Sequence, residues 1–465
     1  MIHFNRRARL SIAACALLPT LCIAQGIPTA AAGQAASSPS IRSWVRTYGS
    51  HSPHEGVFDM RFEPNGGIRV AGYGSSPGTS NAAGLLMRMS PGNGELNSQS
   101  LLRNQTIPGF GSPVDGAGLA ADGGALFTGR IVDDLYMKHD GWVARVDREG
   151  NPLWQRGFTV PGFGRFSILD VVELSSGAWI IAGATSVDDQ PPQAAYIVRL
   201  SASGAVDWQY EYLAGVSEHV QSITATSDGG FAIVGWTVSS GAGCEDVWFM
   251  KLDAAGTVQW QRTYGGSDCD QGNSIIELSG GGYAIAARTT GWTQSGNAPW
   301  ILVLDAQGNL LWQRVVDGVW GDLSAIAETA GGGVVALGRV GEAGFPSNDL
   351  WAVELDSAGG LRWQRAYEGE SGDWGSSIVV MPDSSFLFGG TWGWGFPEGD
   401  VFLVRTAPGG SLAGCGLDRT TTFPLISPLV SSQPSFANRA QGVAINRVYS
   451  FTALDGDVTS ALRCR

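Results

Sequence analysis

The chain has 465 residues, of which 67 are Gly and 17 are Trp, and its formal net charge is −13. This acidity argues against a nucleic-acid partner, because binding to phosphates needs a basic surface. Since each Gly inside a helix costs about 1 kcal/mol and 43% of the residues are hydrophobic, the composition predicts a folded, all-β protein and excludes a helical or disordered one.

The first 24 residues are typical of a signal peptide. Three arginines precede an apolar stretch at residues 10–23, and the small residue Ala24 follows it. We expect cleavage after Ala24, with Ala31 as the alternative, and export by general secretion or by the twin-arginine route. Residues 25–40, rich in Ala, Ser, Gly and Pro, predict a flexible leader. No later stretch approaches the ~20 apolar residues of a membrane span, so the mature protein is expected to be secreted, periplasmic or at the cell surface.

A repeat dominates the chain after residue 40. Five tryptophans are spaced 54, 52, 52 and 51 residues apart, at Trp154, Trp208, Trp260, Trp312 and Trp363. A glycine turn shares this period, at Gly67, Gly124, Gly177, Gly230, Gly282 and Gly333, and Ser385 takes the same place in the last copy. Seven turns predict seven copies of one structural unit.

Each copy predicts four short strands joined by tight turns in which Gly supplies a positive φ. Four such strands cannot bury both faces alone, so each sheet must pack between two neighbours. Seven sheets around an axis form a seven-bladed β-propeller over residues 41–410; a solenoid is the alternative. Residues 44–48 match the fourth strand at 260–264 but precede the first complete copy. We expect them to complete the last blade and close the ring, with residues 411–413 as the alternative.

Four motifs mark the repeat: Asp228-Gly229-Gly230, Asp246-x-Trp248, Leu252-Asp253-x-x-Gly256 and Trp260-Gln261-Arg262-x-Tyr264. These motifs resemble those of the secreted bacterial β-propeller repeat family. This resemblance covers about residues 41–410 and implies an extracytoplasmic propeller with no shared catalytic residues to carry over. The chain is also similar, less closely, to quinone-dependent dehydrogenase propellers, which close each blade with a Gly and a Trp.

Four cysteines remain in the mature chain, and four allow three disulfide connectivities. Cys244 lies in a loop between second and third strands, and Cys269 lies in the next blade-to-blade loop. Propeller topology places both loops on one face of adjacent blades, so we expect a Cys244–Cys269 bond. This leaves Cys415 with Cys464 and predicts a small, disulfide-closed β appendage over residues 411–465.

The residues that recur in every copy are interpreted as architecture. We expect the tryptophans of the third strands to fill blade interfaces and the aspartates at their starts to accept hydrogen bonds from turn backbone. They are Trp248, Trp300 and Trp351, and Asp246, Asp349 and Asp400.

No motif for a metal, a cofactor or a catalytic nucleophile stands out. His51 and His54 lack the His-Glu-x-x-His spacing of zinc proteases, and Pro53 between them disfavours a helix. We therefore expect neither a metal nor a cofactor. His219, near the start of a first strand, is expected to overlook the central channel.

Six tryptophans outside the repeated positions map to the loops of one face. Large aromatic side chains offer apolar contact area at low entropic cost and are enriched in binding surfaces; the alternative is that several fold back onto the blades. They are Trp236, Trp292, Trp392 and Trp394 after second strands, and Trp320 and Trp374 in blade-to-blade loops.

These residues, with His219, lead to three functional hypotheses. The first is a secreted, non-catalytic, monomeric propeller that binds a protein or glycan through its Trp-rich loop face. The second is an extracytoplasmic enzyme at the channel mouth, either a polysaccharide lyase or hydrolase or a quinone-type oxidoreductase. The third is a structural cell-surface protein.

Overall fold

A computed structural model describes most of the chain after residue 42, within one unit spanning Ile41–Arg465. The predicted signal peptide and leader lie outside the described residues. The described ranges are 43–49, 55–75, 82–104, 114–132, 139–159, 165–187, 190–213, 215–293, 296–341, 349–367, 372–392, 399–412 and 417–428, and the backbone of 431–434, 438–441, 445–447, 451–454 and 459–464.

The described residues form a seven-bladed, all-β propeller in which each blade has four antiparallel strands, and they include no helix. The first strand of the chain, β1 (Trp44–Gly49), belongs to blade 7. Blades 1 to 3 follow in chain order: blade 1 has β2 (Gly56–Phe62), β3 (Ile68–Ser75), β4 (Ala82–Met89) and β5 (Leu96–Asn104); blade 2 has β6 (Val114–Leu119), β7 (Ala125–Val132), β8 (His139–Val146) and β9 (Pro152–Thr159); and blade 3 has β10 (Arg165–Glu173), β11 (Trp179–Val187), β12 (Gln190–Leu200) and β13 (Val206–Leu213). Blade 4 has β14 (Glu218–Ala225), β15 (Phe231–Thr237), β16 (Asp246–Leu252) and β17 (Val258–Gly265), and blade 5 has β18 (Asp270–Glu277), β19 (Tyr283–Thr289), β20 (Ala298–Leu304) and β21 (Leu310–Val316). Blade 6 has β22 (Trp320–Glu328), β23 (Val334–Gly341), β24 (Asp349–Leu355) and β25 (Leu361–Tyr367), and blade 7 adds β26 (Trp374–Val380), β27 (Phe386–Trp392) and β28 (Asp400–Arg405) to β1.

The N-terminal strand closes the ring, as the sequence predicts. Strand β1 pairs antiparallel with β28, so that Trp44 lies opposite Arg405 and Tyr48 opposite Val401. Blade 7 is therefore built from both ends of the repeat region. This pairing removes the open edge that an incomplete last blade would leave.

The third-strand tryptophans are fully buried at the blade interfaces, which confirms their structural interpretation. Trp248 packs in a cluster with residues of blade 3, Trp300 with residues of blade 4 and Trp351 with residues of blade 5. Asp246 accepts a hydrogen bond from the Gly243 amide at 3.0 Å, as expected. Asp349 forms an ion pair with Arg419 of the tail, at 2.8 Å; residues 342–348 before it lie outside the described residues.

The Trp-Gln-Arg-x-Tyr motif explains how consecutive blades are joined. In blade 4, Arg262 Nε donates to the Gln307 carbonyl at 3.2 Å and the Tyr264 hydroxyl donates to the Gly308 carbonyl at 2.6 Å. Both acceptors lie in the turn between the third and fourth strands of blade 5. In blade 5, the indole of Trp312 donates to a carbonyl in the corresponding turn of blade 6 at 2.9 Å. We call this set of bonds the blade staple.

Each innermost strand carries a β-bulge at the same place. A bulge redirects one side chain, and here the redirected side chains line the central channel. Beside the bulge of β14, a Cβ on Gly235 would lie 1.9 Å from the His219 carbonyl oxygen, so glycine is required there. The extra residues are Phe58, Asp115, Leu169, Gln221, Asn273, Ser324 and Ser376.

The tail runs backward around the propeller and adds a fifth strand to every blade. Its strands pair antiparallel with the fourth strands of blades 6, 5, 4, 3, 2, 1 and 7, in that order. We call this segment the belt. Its strands are β29 (Asp418–Thr420), β30 (Leu425–Ile426), β31 (Ser431–Pro434), β32 (Asn438–Gln441), β33 (Ile445–Arg447), β34 (Phe451–Leu454) and β35 (Thr459–Cys464).

The belt differs in placement from the appendage that the sequence predicts over residues 411–465. The described belt strands belong to the blade sheets and form no sheet of their own. The physical reason is that the fourth strand of each blade presents unpaired N–H and C=O groups at its outer edge, which an extended chain can satisfy. Cys415 and the side chain of Cys464 lie outside the described residues, so the Cys415–Cys464 bond stays a prediction.

Candidate functional site

The seven innermost strands surround a channel that forms a cavity of about 960 Å³, lined by residues of all seven blades. First strands begin and second strands end on the same face of the ring, because the two strands are antiparallel. We call this end of the channel the mouth. It lies on the face that carries the blade-to-blade loops and the loops between second and third strands.

Arg339, near the end of β23, lies between two tryptophans at the mouth. Its guanidinium carbon is 4.1 Å from the ring centroid of Trp374 and 5.0 Å from that of Trp320. Its Nη2 donates to Asp322 Oδ2 at 2.8 Å. The two cation–π contacts and the charge-assisted hydrogen bonds fix the guanidinium in one orientation. Trp374, Arg339 and Asp322 all line the cavity.

Trp236 provides a further aromatic ring at the mouth, on blade 4. It lines the cavity, and His219 stacks on it with ring centroids 4.6 Å apart and planes inclined by 11°. Burial lowers the pKa of His219, against the opposing effect of Glu245. The imidazole is therefore neutral near pH 7 and serves as a support for the indole.

Blade 5 contributes planar polar groups between these two aromatic positions. Arg288 Nε donates to Gln271 Oε1 at 2.9 Å, and its Nη1 donates to Asn297 Oδ1 at 2.8 Å. The Gln271 amide donates in turn to Glu245. These bonds fix the orientation of both amide groups, and Arg288, Gln271 and Asn297 line the cavity.

Three carboxyl groups line the channel on blades 1 to 3. Asp59 accepts a hydrogen bond from the Leu119 amide and Asp170 accepts one from the Ile223 amide, both at 2.8 Å. Burial raises the pKa of Asp170 to about 7, and the charge of Asp59 acts in the same direction. Burial also raises the pKa of Asp115 to about 6, although Arg130 opposes it. Part of this acidic wall is therefore protonated near neutral pH.

The other predicted site residues are placed differently. Trp292 packs edge-on against Trp300 at 5.0 Å, on blade 5, and is not among the residues that line the channel. The side chain of Trp392, all of Trp394, and both His51 and His54 lie outside the described residues.

The predicted Cys244–Cys269 disulfide is present. It joins blades 4 and 5 on the mouth face, with the two Cα atoms 5.1 Å apart. A backbone hydrogen bond from the Asp270 amide to the Glu245 carbonyl, at 2.7 Å, lies beside it.

Sequence reasoning missed the polar residues of the channel. Arg288 and Arg339 are the sixth residues of their second strands, where blade 4 has Trp236 and blade 7 has Thr391. Asp115 occupies a bulge position that holds Ser324 in blade 6. A position-by-position comparison of the seven copies at the bulge and at the end of the second strand would have found them.

Among the residues that the structure describes, no group of three or more His, Cys, Asp or Glu side chains could hold a metal ion. Across the same ranges, no helix is long and apolar enough to cross a membrane.

No family model matches the chain, and no curated protein matches it. Several solved structures are similar at low identity. An α-L-arabinanase from Penicillium chrysogenum is 10% identical, with a TM-score of 0.41 over 79% of this chain and 98% of that chain. The phage phi92 endosialidase is 11% identical, with a TM-score of 0.43 over 78% of this chain and 69% of that chain.

A third similar structure is a putative oxidoreductase (glucose dehydrogenase) from Thermus thermophilus. It is 12% identical, with a TM-score of 0.32 over 77% of this chain and 99% of that chain. Similarities at these scores carry no argument about activity.

Proposed function

We propose that this protein is an exported, non-catalytic β-propeller that binds a glycan at the mouth of its central channel. One observation carries the proposal: two aromatic rings, Trp236 and Trp374, line the same cavity as the fixed guanidinium groups of Arg288 and Arg339. An indole face packs against the C–H face of a sugar ring. Oriented guanidinium, amide and carboxylate groups donate to and accept from its hydroxyl groups.

The channel mouth is pre-organised for such a ligand. Trp236 is stacked on His219, and Arg339 is held by Trp320, Trp374 and Asp322. Side chains that are already ordered lose little conformational entropy on binding, which favours affinity.

The shape of the site favours a glycan over a protein. A cavity of about 960 Å³ is within the usual range for small-molecule sites, roughly 300–1,000 Å³. A stable protein–protein interface instead covers about 800 Å² of surface on each partner. A recessed channel offers this area only to a partner that inserts a narrow segment, whereas a short saccharide chain enters it directly.

Export is supported by two independent features. The N-terminal segment has the composition of a signal peptide. The Cys244–Cys269 disulfide belongs to a class of bond that persists in oxidising compartments.

A glycan array with tryptophan variants tests the proposal. We expect the wild-type protein to bind a defined set of glycans, and Trp236→Ala and Trp374→Ala each to weaken that binding at least tenfold. Trp292→Ala is the matched control, since Trp292 lies on the same blade face but packs on Trp300 outside the channel. Binding that survives both channel variants, or that Trp292→Ala reduces equally, would contradict the proposal.

One observation favours a second candidate, a glycan-cleaving enzyme. The pKa of Asp115 is about 6 and that of Asp170 is about 7, because both carboxyls are buried. Such values suit a general acid at neutral pH. Against it, both oxygens of Asp170 accept backbone N–H bonds, from Val171 and Ile223, as expected for a group that joins blades 3 and 4.

Reducing-sugar release from the bound glycans distinguishes the two candidates. The binding proposal predicts no release by the wild-type protein. Release that Asp115→Asn abolishes would establish the enzyme instead.

A further inference from the structure

The interface between blades 1 and 2 lacks the blade staple. In blade 4, Trp260 lies opposite Lys251, and Arg262 and Tyr264 follow at alternate positions. In blade 1, Ser98 lies opposite Arg88 in the place of the Trp, with Ser100 and Leu102 in the places of the Arg and Tyr. Blade 1 therefore has none of the three motif side chains, Trp, Arg and Tyr, that blade 4 carries at these positions.

Arg69 replaces part of the staple from a different strand. It occupies the position in β3 that Ala232 holds in β15. Its side chain is 3% exposed, and its Nη1 donates to the Arg148 carbonyl of blade 2 at 2.7 Å. The corresponding carbonyl in blade 4, that of Ala254, accepts from the indole of Trp208. Arg69 thus satisfies an acceptor that a tryptophan satisfies elsewhere.

Arg69 does not fill the space of the missing indole. A cavity of about 160 Å³ remains between blades 1 and 2, where a staple would otherwise pack. Its lining comprises Arg69, Arg88, Arg148, Ser98, Ser100, Leu86, Gln99 and Glu149.

The charges around this cavity leave one positive charge in excess. Glu63 pairs with Arg69 through Oε1 at 3.1 Å and with Arg88 through Oε2 at 3.0 Å. Arg148 pairs with Glu149 on the surface at 3.3 Å. Three guanidinium groups therefore face two carboxylates, and Arg88 donates to Glu63 through Nε. The side chain of Arg88 is 31% exposed, so it is open to a ligand.

We propose that this cavity binds a small tetrahedral oxyanion, the sulfate or phosphate group of a soluble ligand. Guanidinium groups and serine hydroxyls donate hydrogen bonds to oxyanions, and an arginine binds them in a planar, two-point geometry. A water molecule takes up about 30 Å³ in the liquid, so the cavity has room for a tetrahedral anion and an accompanying water. This site is separate from the channel and does not depend on the glycan proposal.

Isothermal titration calorimetry on the full chain tests this site, with inorganic sulfate and inorganic phosphate as separate probes at constant ionic strength. We expect saturable binding of one anion per chain. Selective binding of one probe identifies the group, and binding of both supports the site equally. No saturable binding of either probe would overturn the proposal.

Two variants locate the binding. Ser98→Trp is expected to fill the cavity with the indole that the other blades carry, and Arg88→Gln is expected to remove the accessible guanidinium while Arg69 still pairs with Glu63. Each should weaken binding at least tenfold. Arg362→Gln, which removes a more exposed arginine on blade 6 that also pairs with a glutamate, should leave it unchanged. If Ser98→Trp and Arg88→Gln both bind as the wild type does, the anion lies elsewhere and the proposal fails.

Discussion

The interface between blades 4 and 5 and that between blades 1 and 2 have the same strand arrangement but different side-chain connections. Between blades 4 and 5, Arg262 and Tyr264 donate to consecutive turn carbonyls, and the Cys244–Cys269 disulfide joins the loops of the mouth face. The covalent link thus lies at the mouth end of this interface, and the hydrogen bonds of the staple lie at the opposite end.

Between blades 1 and 2 the links come from other positions. Arg69 donates to the Arg148 carbonyl, Arg61 donates to the Leu119 carbonyl at 3.0 Å, and Asp59 accepts from the Leu119 amide. Adjacent blades therefore pack together both with the staple, as between blades 4 and 5, and without it, as between blades 1 and 2. The interface without the staple contains instead a cavity lined by arginines and serines.

The largest effect is expected from removal of the staple tryptophan of blade 4. Trp260 packs edge-on against Phe249 at 4.6 Å and against Tyr283 of blade 5 at 6.0 Å. Trp260→Ala should lower the free energy of unfolding by about 3–5 kcal/mol, because it leaves a large cavity between blades. At the equivalent position of blade 1, Ser98→Ala should change it by less than about 0.5 kcal/mol. Urea unfolding measures the free energy of both variants. Equal losses of stability in the two would show that Trp260 contributes no more to its interface than Ser98 does to its own.

The disulfide should have the next largest effect. Cys244 and Cys269 are 25 residues apart, and closing a loop of this length stabilises a protein by about 3 kcal/mol through the unfolded state. The double variant Cys244→Ser, Cys269→Ser should lose this amount in urea unfolding.

The same variant tests the predicted Cys415–Cys464 bond. The belt strand that ends at Cys464 pairs with β1 of blade 7, the blade from which the tail departs. We therefore expect a reductant to destabilise the double variant further. Peptide mapping under non-reducing conditions identifies the remaining bond, and a free thiol at Cys464 would contradict the prediction.

The fold was predictable from the sequence to a large extent, because its main determinants repeat. The period of the tryptophans and of the glycine turns defines seven copies, and the match of residues 44–48 to a fourth strand indicates the closure that β1 provides. The belt was not predictable. Its strands are two to six residues long, and they pair through backbone groups at strand edges, which requires an extended chain but no particular side-chain pattern.

The candidate site was predictable only in part. Trp236 and Trp292 both follow second strands, yet Trp236 is the sixth residue of β15 and lines the channel, whereas Trp292 lies three residues beyond β19 and packs on Trp300. The channel-facing polar residues depend on the bulges. A bulge adds one residue and redirects a side chain, so strand alternation alone does not show that Asp115 or Asn273 faces the channel.

The smallest predicted effect is a difference in pH dependence between the two interfaces. At the blade 4–5 interface, burial raises the pKa of Asp270 to about 6; its hydrogen bonds with Thr289 and Gly266 act to lower it, and the charges of Asp246 and Asp268 act to raise it. Between about pH 4 and pH 6 the folded protein therefore binds more protons than the unfolded chain, and stability decreases as pH rises.

At the blade 1–2 interface the sign is opposite. Burial acts to raise the pKa of Glu63, but its hydrogen bonds and ion pairs with Arg69 and Arg88 lower it overall. The stability that this carboxylate contributes is thus present near neutral pH and is lost as pH falls through its lowered pKa.

Acidification should consequently strengthen the interface that carries the disulfide and weaken the interface that carries the proposed anion site. Asp270→Asn mimics the protonated carboxyl and should reduce the loss of unfolding free energy between pH 4 and pH 7 by about 1–2 kcal/mol. Glu63→Gln should instead lower stability near pH 7 and flatten the decline below pH 4. Urea unfolding of both variants across this pH range measures the two slopes. If Asp270→Asn keeps the wild-type slope, the buried carboxyl is not the source of the pH dependence.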